Sequence, residues 1–199
     1  MLLLLVSTTL AFEGHFTLVT TAPGALTRVR FRVDEAGAIE AATEGGSRRS
    51  LCLPSAPETV WTLEDAERRG STMRRADLAS FLQTGPTWTT RRWTTAELPP
   101  HPWQGQHAVG TRLTAKGAPE LRIWTVPGHL GARDSLACLG ATTAPAILRA
   151  LGARDGLPVR SEADDVVVTI EDLVEGDEAT ITLPGGYTAA DGSPLVAPK

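Results

Sequence analysis

The stretch Thr27-Arg28-Val29-Arg30-Phe31-Arg32-Val33 decides the fold class. Its apolar residues fall on every second position and its arginines on the positions between. Successive side chains of an extended strand point to opposite faces. As a strand, 27–33 therefore sets Val29, Phe31 and Val33 on one face and Arg28, Arg30 and Arg32 on the other. The arginine face has two readings: a row that meets an anionic headgroup or acidic partner, or a solvated outer sheet face. Working outward, 15–20 reads as a preceding strand, with a turn at Pro23-Gly24. Downstream, Glu35-Ala36-Gly37 turns the chain into a strand at 38–43, and Gly45-Gly46 turns it again. Strands follow at 50–53 and 59–63, separated by a loop with Pro54 and Pro57. Connections this short make hairpins, so the expected sheet is an antiparallel meander rather than a parallel α/β sheet.

The second half is less regular. Residues 65–75 are charge-rich and ambiguous, and 75–82 reads as a short helix carrying Leu78, Phe81 and Leu82. Residues 84–106 hold Pro86, Pro99, Pro100 and Pro102 with Trp88, Trp93 and Trp103. This Trp/Pro-rich insertion is expected to be a long irregular connection packed on the domain as a lid. Strands are expected at 107–115 and 120–126, around a turn at Lys116-Gly117-Ala118-Pro119. The best helix is 135–151, interrupted by Gly140 and Pro145, with Leu136, Leu139, Ile147, Leu148 and Leu151 on its buried face. Strands at 157–160, 166–170 and 179–183 precede the closing Pro184-Gly185-Gly186-Tyr187. One domain spans 12–190, and 191–199 reads as a flexible tail.

Apolar residues make up 42% of the 199-residue chain and charged residues 21%, a balance that supports a folded core. A net charge of −4 argues against a nucleic-acid partner, which calls for a basic face. No stretch reaches the ~20 apolar residues of a membrane span. The start, Met1-Leu2-Leu3-Leu4-Leu5-Val6, followed by Thr9-Leu10-Ala11, reads as a signal peptide over 1–11 with Phe12 as the mature start. It lacks the usual preceding Lys or Arg, and the same block also reads as a buried first strand. Export implies a periplasmic or secreted protein. Cys52 and Cys138 fit one disulfide in that setting, or else two buried thiols that never meet.

No catalytic arrangement emerges. There is no G-x-S-x-G nucleophile elbow. His101 and His107, six positions apart, match no zinc spacing, and the glycine pairs open no phosphate-binding helix. The run 162–178 carries eight acidic residues and no basic one; it lacks the alternation of a calcium loop and reads as solvated turns. A non-enzymatic protein without metal or cofactor is expected.

The chain's end carries a resemblance. Leu157-Pro158-Val159-Arg160, the strand at 166–170, Glu171-Asp172-Leu173 and the closing Pro184-Gly185-Gly186-Tyr187 resemble the C-terminal pattern of an uncharacterised bacterial family of exported domains related to LolA and LolB, the lipoprotein carriers. Upstream, 59–63 and Leu121-Arg122-Ile123-Trp124 resemble that family's strands, whereas the insertion at 84–106 departs from them. The resemblance covers most of 12–190. It implies a mainly β (α+β) fold: a curved antiparallel sheet or incomplete β-barrel with a helical lid. It also implies a concave apolar face that binds a lipid or acyl chain. Val29, Phe31, Val33, Trp61 and Trp124 from the sheet, with Leu136, Leu139, Ile147 and Leu148 from the lid, are the expected lining. The alternative is a structural or interaction domain of the envelope, partnered by another envelope protein, whose cavity is filled by its own side chains.

Overall fold

The computed structural model describes residues 12–77, 92–139 and 156–197. The expected leader 1–11, the apolar face of the 75–82 helix, Trp88, and helix residues 140–151 including Ile147 and Leu148 lie outside them.

Among the described residues, eleven antiparallel strands form one open sheet. They are β1 (Gly14–Ala22), β2 (Ala25–Val33), β3 (Ile39–Thr43), β4 (Arg48–Cys52), β5 (Thr59–Glu64), β6 (Arg69–Arg74), β7 (Thr94–Trp103), β8 (Gln106–Thr114), β9 (Leu121–Val126), β10 (Leu157–Ala163) and β11 (Val166–Glu175). Their order across the sheet is β6-β5-β4-β3-β2-β1-β11-β10-β9-β8-β7. Every neighbouring pair is consecutive in sequence except β1 and β11. The sheet is two meanders sewn together along one long-range pairing, with Leu18 opposite Ile170 near its middle. The fold is mainly β, as the alternation at 27–33 predicts.

Curvature follows from two contacts. Neighbouring strands lie about 4.8 Å apart, so a flat sheet would hold β7 and β11 roughly 19 Å from each other. Yet the indole N–H of Trp103 on β7 donates to the carbonyl of Ile170 on β11, at 2.7 Å. Likewise α1 (Leu130–Ser135) and the 3-10 helix Leu136–Leu139 touch β3 and β4 at one end and β10 at the other. The sheet therefore bends around a concave face, and this helical segment caps it. Among the described residues the sheet does not close between its edges β6 and β7.

Cross-strand partners share a face. Phe16 opposite Phe31, Leu18 opposite Val29, and Val33 opposite Ile39 put these residues on the concave side. There they pack with Phe12, Ile170, Leu157, Val126, Ala132 and Leu136. The Phe16 and Phe31 rings stack with centroids 4.7 Å apart, and neither is exposed. By the same register Leu51 opposite Trp61 lies on the other face. It is buried there with Leu63, Ile181 and Tyr187 beneath the C-terminal segment.

Four expectations change. Residues 94–103 form strand β7 rather than an irregular connection. Three prolines mark it as an edge, where missing N–H groups leave no ladder unpaired, and the register with β8 shifts between Leu98 and His101. The helix begins at Leu130, five residues before the expected 135, and tightens to 3-10 geometry from Leu136. Residues 179–183 form no strand; there the Asp34 carboxylate accepts the Ile181 N–H at 2.7 Å. Finally, Glu171-Asp172-Leu173 is no turn but lies within β11. Asp172, at φ 52°, accompanies a register shift against β1 there, a left-handed conformation Asp tolerates at a bulge.

The segment after Tyr187, where a flexible tail is expected from 191, covers the other edge. Gly70 of β6 donates its N–H to Thr188 at 2.9 Å, and Leu195 donates back to Tyr187 at 2.9 Å. Leu195 and Ala197 pack on the cluster around Trp61.

Cys52 at the end of β4 meets Cys138 in the 3-10 helix, with Sγ atoms 2.18 Å apart and Cα atoms 5.8 Å apart. The bridge joins the capping segment to the sheet and closes a loop across 86 positions. Loop-closure entropy then favours the folded state by about 4–5 kcal/mol over a doubly substituted chain. Thiol titration of denatured, unreduced protein is expected to find no free thiol. Cys52→Ala/Cys138→Ala is expected to lower the denaturant midpoint accordingly, with two titratable thiols in the wild type as the opposing result.

Candidate functional site

The capping segment owes its position to close packing on residue 12. Gly131 lies so near Phe12 that a methyl group there would sit 2.6 Å from the Phe12 backbone nitrogen. His129 enters α1 in the left-handed region at φ 50°, with its ring edge-on to Trp103 at 6.4 Å between centroids and its Nδ1 2.9 Å from Glu175. The cap thus also reaches the residues before β1, Trp103 at the end of β7 and Glu175 at the end of β11.

Beside this cap opens a pocket of 370 Å3. Its apolar wall is Phe12, Val33, Ile39, Cys52 and Leu53, and its rim includes Ala36, Pro54, Pro57, Arg75 and Asp134. A second pocket, of 690 Å3, lies beneath the C-terminal segment, lined by Ala38, Leu53, Ile181, Leu183 and Leu195 among others. The two share Ala36, Leu53 and Pro54. Both volumes fall within the ~300–1,000 Å3 of small-molecule sites. The shared rim consists of turns, 34–38 and 53–56, rather than strand. Buried Asp34 fixes the first by accepting the N–H of Ala38 at 2.8 Å and of Ile181 at 2.7 Å.

Of the lining expected from sequence, the structure gathers Val29, Phe31, Val33, Trp124 and Leu136 around one cluster. Val33 also borders the pocket beside the cap. Phe31 is fully buried against Phe16, so it is core rather than lining. Trp61 does not join this group: strand parity turns it to the opposite face. Trp124 is half-buried. Its indole N–H donates to the Pro99 carbonyl at 3.0 Å, and the Arg160 guanidinium lies 5.8 Å from its ring. Leu139 ends the 3-10 helix, while Ile147 and Leu148 lie outside the described residues. Sequence reasoning does not reach Ile39, Leu53 or the proline loop 54–57. Leu53 and 54–57 carry no periodicity because they lie in a turn, and Ile39 opens a strand of only five residues.

The arginine row meets the chain's own acidic run. Arg28 lies 3.2 Å from Glu171. Arg32 donates through Nε to Glu178 at 2.9 Å, and His15 Nδ1 stands 2.6 Å from the same carboxylate. Further along that face Arg49 sits 3.1 Å from Asp65 and from the hydroxyl of Tyr187, which donates to Asp65. Arg68 stacks over the Tyr187 ring at 4.9 Å. Its guanidinium fills the space where a side chain at Gly186, at φ 82°, would stand. Gly186-Tyr187 is therefore a structural latch for the C-terminal segment. Among the described residues, no cluster of three or more His, Cys, Asp or Glu is placed to hold a metal ion.

No protein-family model matches the chain, and no curated protein does. Solved structures do align with it. One is an uncharacterised conserved protein from Thermus thermophilus, at 8% identity and a TM-score of 0.48, covering 87% of this chain and 85% of that one. Another is a LolA superfamily protein from Nitrosomonas europaea, at 10% identity and a TM-score of 0.34, covering 86% of this chain and 89% of that one. Both are likenesses of backbone architecture, and no residue role is carried over from either.

Glu178 supplies a pH test of the outer face. The Arg32 hydrogen bond holds its carboxyl below the usual glutamate range, and His15 adds to the effect against a partial cost of burial. A lowered carboxylate contributes stability that is present above the unfolded value and lost as pH falls through the folded one. The stability advantage of wild type over Glu178→Gln is expected to be present at about pH 5 and above. It should shrink below about 4.3, the ordinary glutamate value. Denaturant midpoints across that range check it; a difference that does not change with pH would contradict this role.

Proposed function

We propose that this protein is a non-enzymatic carrier of a lipid-like or other apolar ligand in the cell envelope. The reading rests chiefly on one observation: an apolar pocket between the curved sheet and its helical cap, walled by Phe12, Val33, Ile39, Cys52 and Leu53. A pocket walled by carbon takes up hydrocarbon through water release, without directional contacts. Ten buried methylenes would supply about 8 kcal/mol, the scale of a micromolar constant before the costs of immobilising the chain. An unclosed barrel supports this use, because the ligand enters past the cap rather than through a closed ladder. The Cys52–Cys138 bridge supports an oxidising compartment, periplasmic or secreted.

A second reading has an observation of its own. Phe16 and Phe31 fill the middle of the concave face with no exposure, as a structural or interaction domain with a self-filled core would. The carrier reading is confined to the pocket beside the cap and does not need that middle to be empty.

Ala36 separates the two readings. It is exposed and lies on the rim shared by both pockets, so a large side chain there blocks entry while leaving the core intact. Wild-type protein is expected to bind an environment-sensitive acyl probe in the micromolar range. Ala36→Trp is expected to weaken that binding about tenfold or more, roughly 1.4 kcal/mol, at unchanged circular dichroism and thermal midpoint. Native mass spectrometry of protein purified from its own envelope should show bound lipid. Folded protein that binds no acyl probe and copurifies with no lipid would sink the carrier reading and leave the self-filled domain.

A further inference from the structure

The pocket beside the cap is not uniformly apolar. Arg75, just past β6, is partly buried on its wall, and its Nε is buried with no hydrogen-bond partner among the described residues. Such a group is an exception in a folded protein. The main chain does not free Arg75 to look elsewhere, since its own N–H donates to the Glu58 carbonyl at 2.8 Å. The neighbouring Arg74 is already matched, bidentate to Asp77 at 2.8 and 2.9 Å. Asp134 also lines the pocket, but it is exposed and its carboxylate is engaged by Arg133 at 3.2 Å. The unspent charge of the pocket is therefore the positive one, always present because guanidinium does not deprotonate in proteins.

We infer that the pocket takes an amphiphile with a single anionic group, a carboxylate or phosphate, and that Arg75 seats that group while Phe12, Val33, Ile39 and Leu53 hold its chain. This deepens the carrier reading and rests on it. The guanidinium fork matches both anions, because each presents two oxygens to paired N–H donors. A guanidinium on the pocket wall discriminates by charge, which the apolar wall does not. A neutral hydroxyl offers a single acceptor oxygen and no countercharge, whereas an anionic group offers two oxygens and the charge. The apolar wall sets whether a chain binds, and Arg75 sets which end faces out.

The test uses the full chain and four single-chain probes below their micelle concentrations: dodecanoate, dodecyl phosphate, dodecanol and dodecyltrimethylammonium. Affinities are measured by calorimetry on wild type, Arg75→Gln and Arg75→Lys, with circular dichroism confirming that each is folded. Wild type is expected to prefer the two anions over dodecanol by about tenfold or more. Arg75→Gln should bring the anions to within about threefold of dodecanol while leaving dodecanol itself unchanged. Arg75→Lys should keep part of the preference, as a point charge without the fork. The better of the two anions identifies the head chemistry. If dodecanol and the anions bind alike, and Arg75→Gln alters nothing, the anionic-head assignment falls while the carrier reading stands. If no probe binds folded wild type, both fall.

Discussion

The pairing of β1 with β11 is the constraint on which the rest depends. Residues 14–22 and 166–175 come from opposite ends of the described chain, yet they form the seam of the sheet. Every other ladder joins strands consecutive in sequence, β9 and β10 across the capping segment and the rest as hairpins. Without the seam, β1–β6 and β7–β11 would be separate meanders, each with an exposed edge and half a core. With it, Phe16 and Phe31 from one half reach Ile170, Leu157 and Val126 from the other. Local pairing is fast and cheap in chain entropy, whereas this one closes a loop of about 150 residues. The seam should therefore form last and set the folding rate.

Once the seam exists, the sheet must bend and its edges must be closed off. Trp103 pins the bend by reaching from the β7 edge to the Ile170 carbonyl. That carbonyl lies just beyond the end of the β10–β11 ladder, which stops at Arg160 opposite Thr169. A single indole N–H thus partners backbone at a point where two strands part. The free edges are blunted by different means. On β7, Pro99, Pro100 and Pro102 remove donors. On β6, Thr188 and the segment behind the Tyr187 latch take up the exposed groups. Open sheets with bare edges invite pairing with other chains, and this one is shielded on both sides.

Much of this architecture is legible in the sequence, and for identifiable reasons. The alternation at 27–33 announces a strand with one buried face, and short turns announce the meander. The two cysteines meet, as one of their two readings has it. Strand β7 is not legible because three prolines read as a loop unless the strand is known to be an edge. Trp61 reads as a concave-face residue but lies on the other side, because parity passes through several turns and one uncounted residue flips it. The acidic run and the arginine row are both visible. What hides their partnership is the seam itself, since nothing local says that residue 32 lies beside residue 178. The pocket is only half legible. Of its strand residues, Val33, Ile39 and Cys52, the first belongs to a clear periodic pattern, whereas Ala36, Leu53 and Pro54 sit in turns that report conformation rather than burial.

The charges divide the molecule in a way that bears on where a ligand sits. On the outer face the arginines and carboxylates engage one another: Arg28 with Glu171, Arg32 with Glu178 and Glu40, Arg49 with Asp65. The Arg32–Glu178 pair ties the segment after β11 to this face, while Arg30, at the centre of the row, stays exposed. The middle of the concave face is likewise spoken for, because stacked aromatic rings close-pack there and close-packed interiors admit no guest without a cavity. What remains is the rim where sheet, cap and turns meet without filling the space between them. Strands are held to fixed spacing by their ladders, but the turns at 34–38 and 53–56 are free of that spacing and leave a gap at the cap. The proposed site lies at this junction, where the regular geometry of the sheet ends and the packing it enforces ends with it.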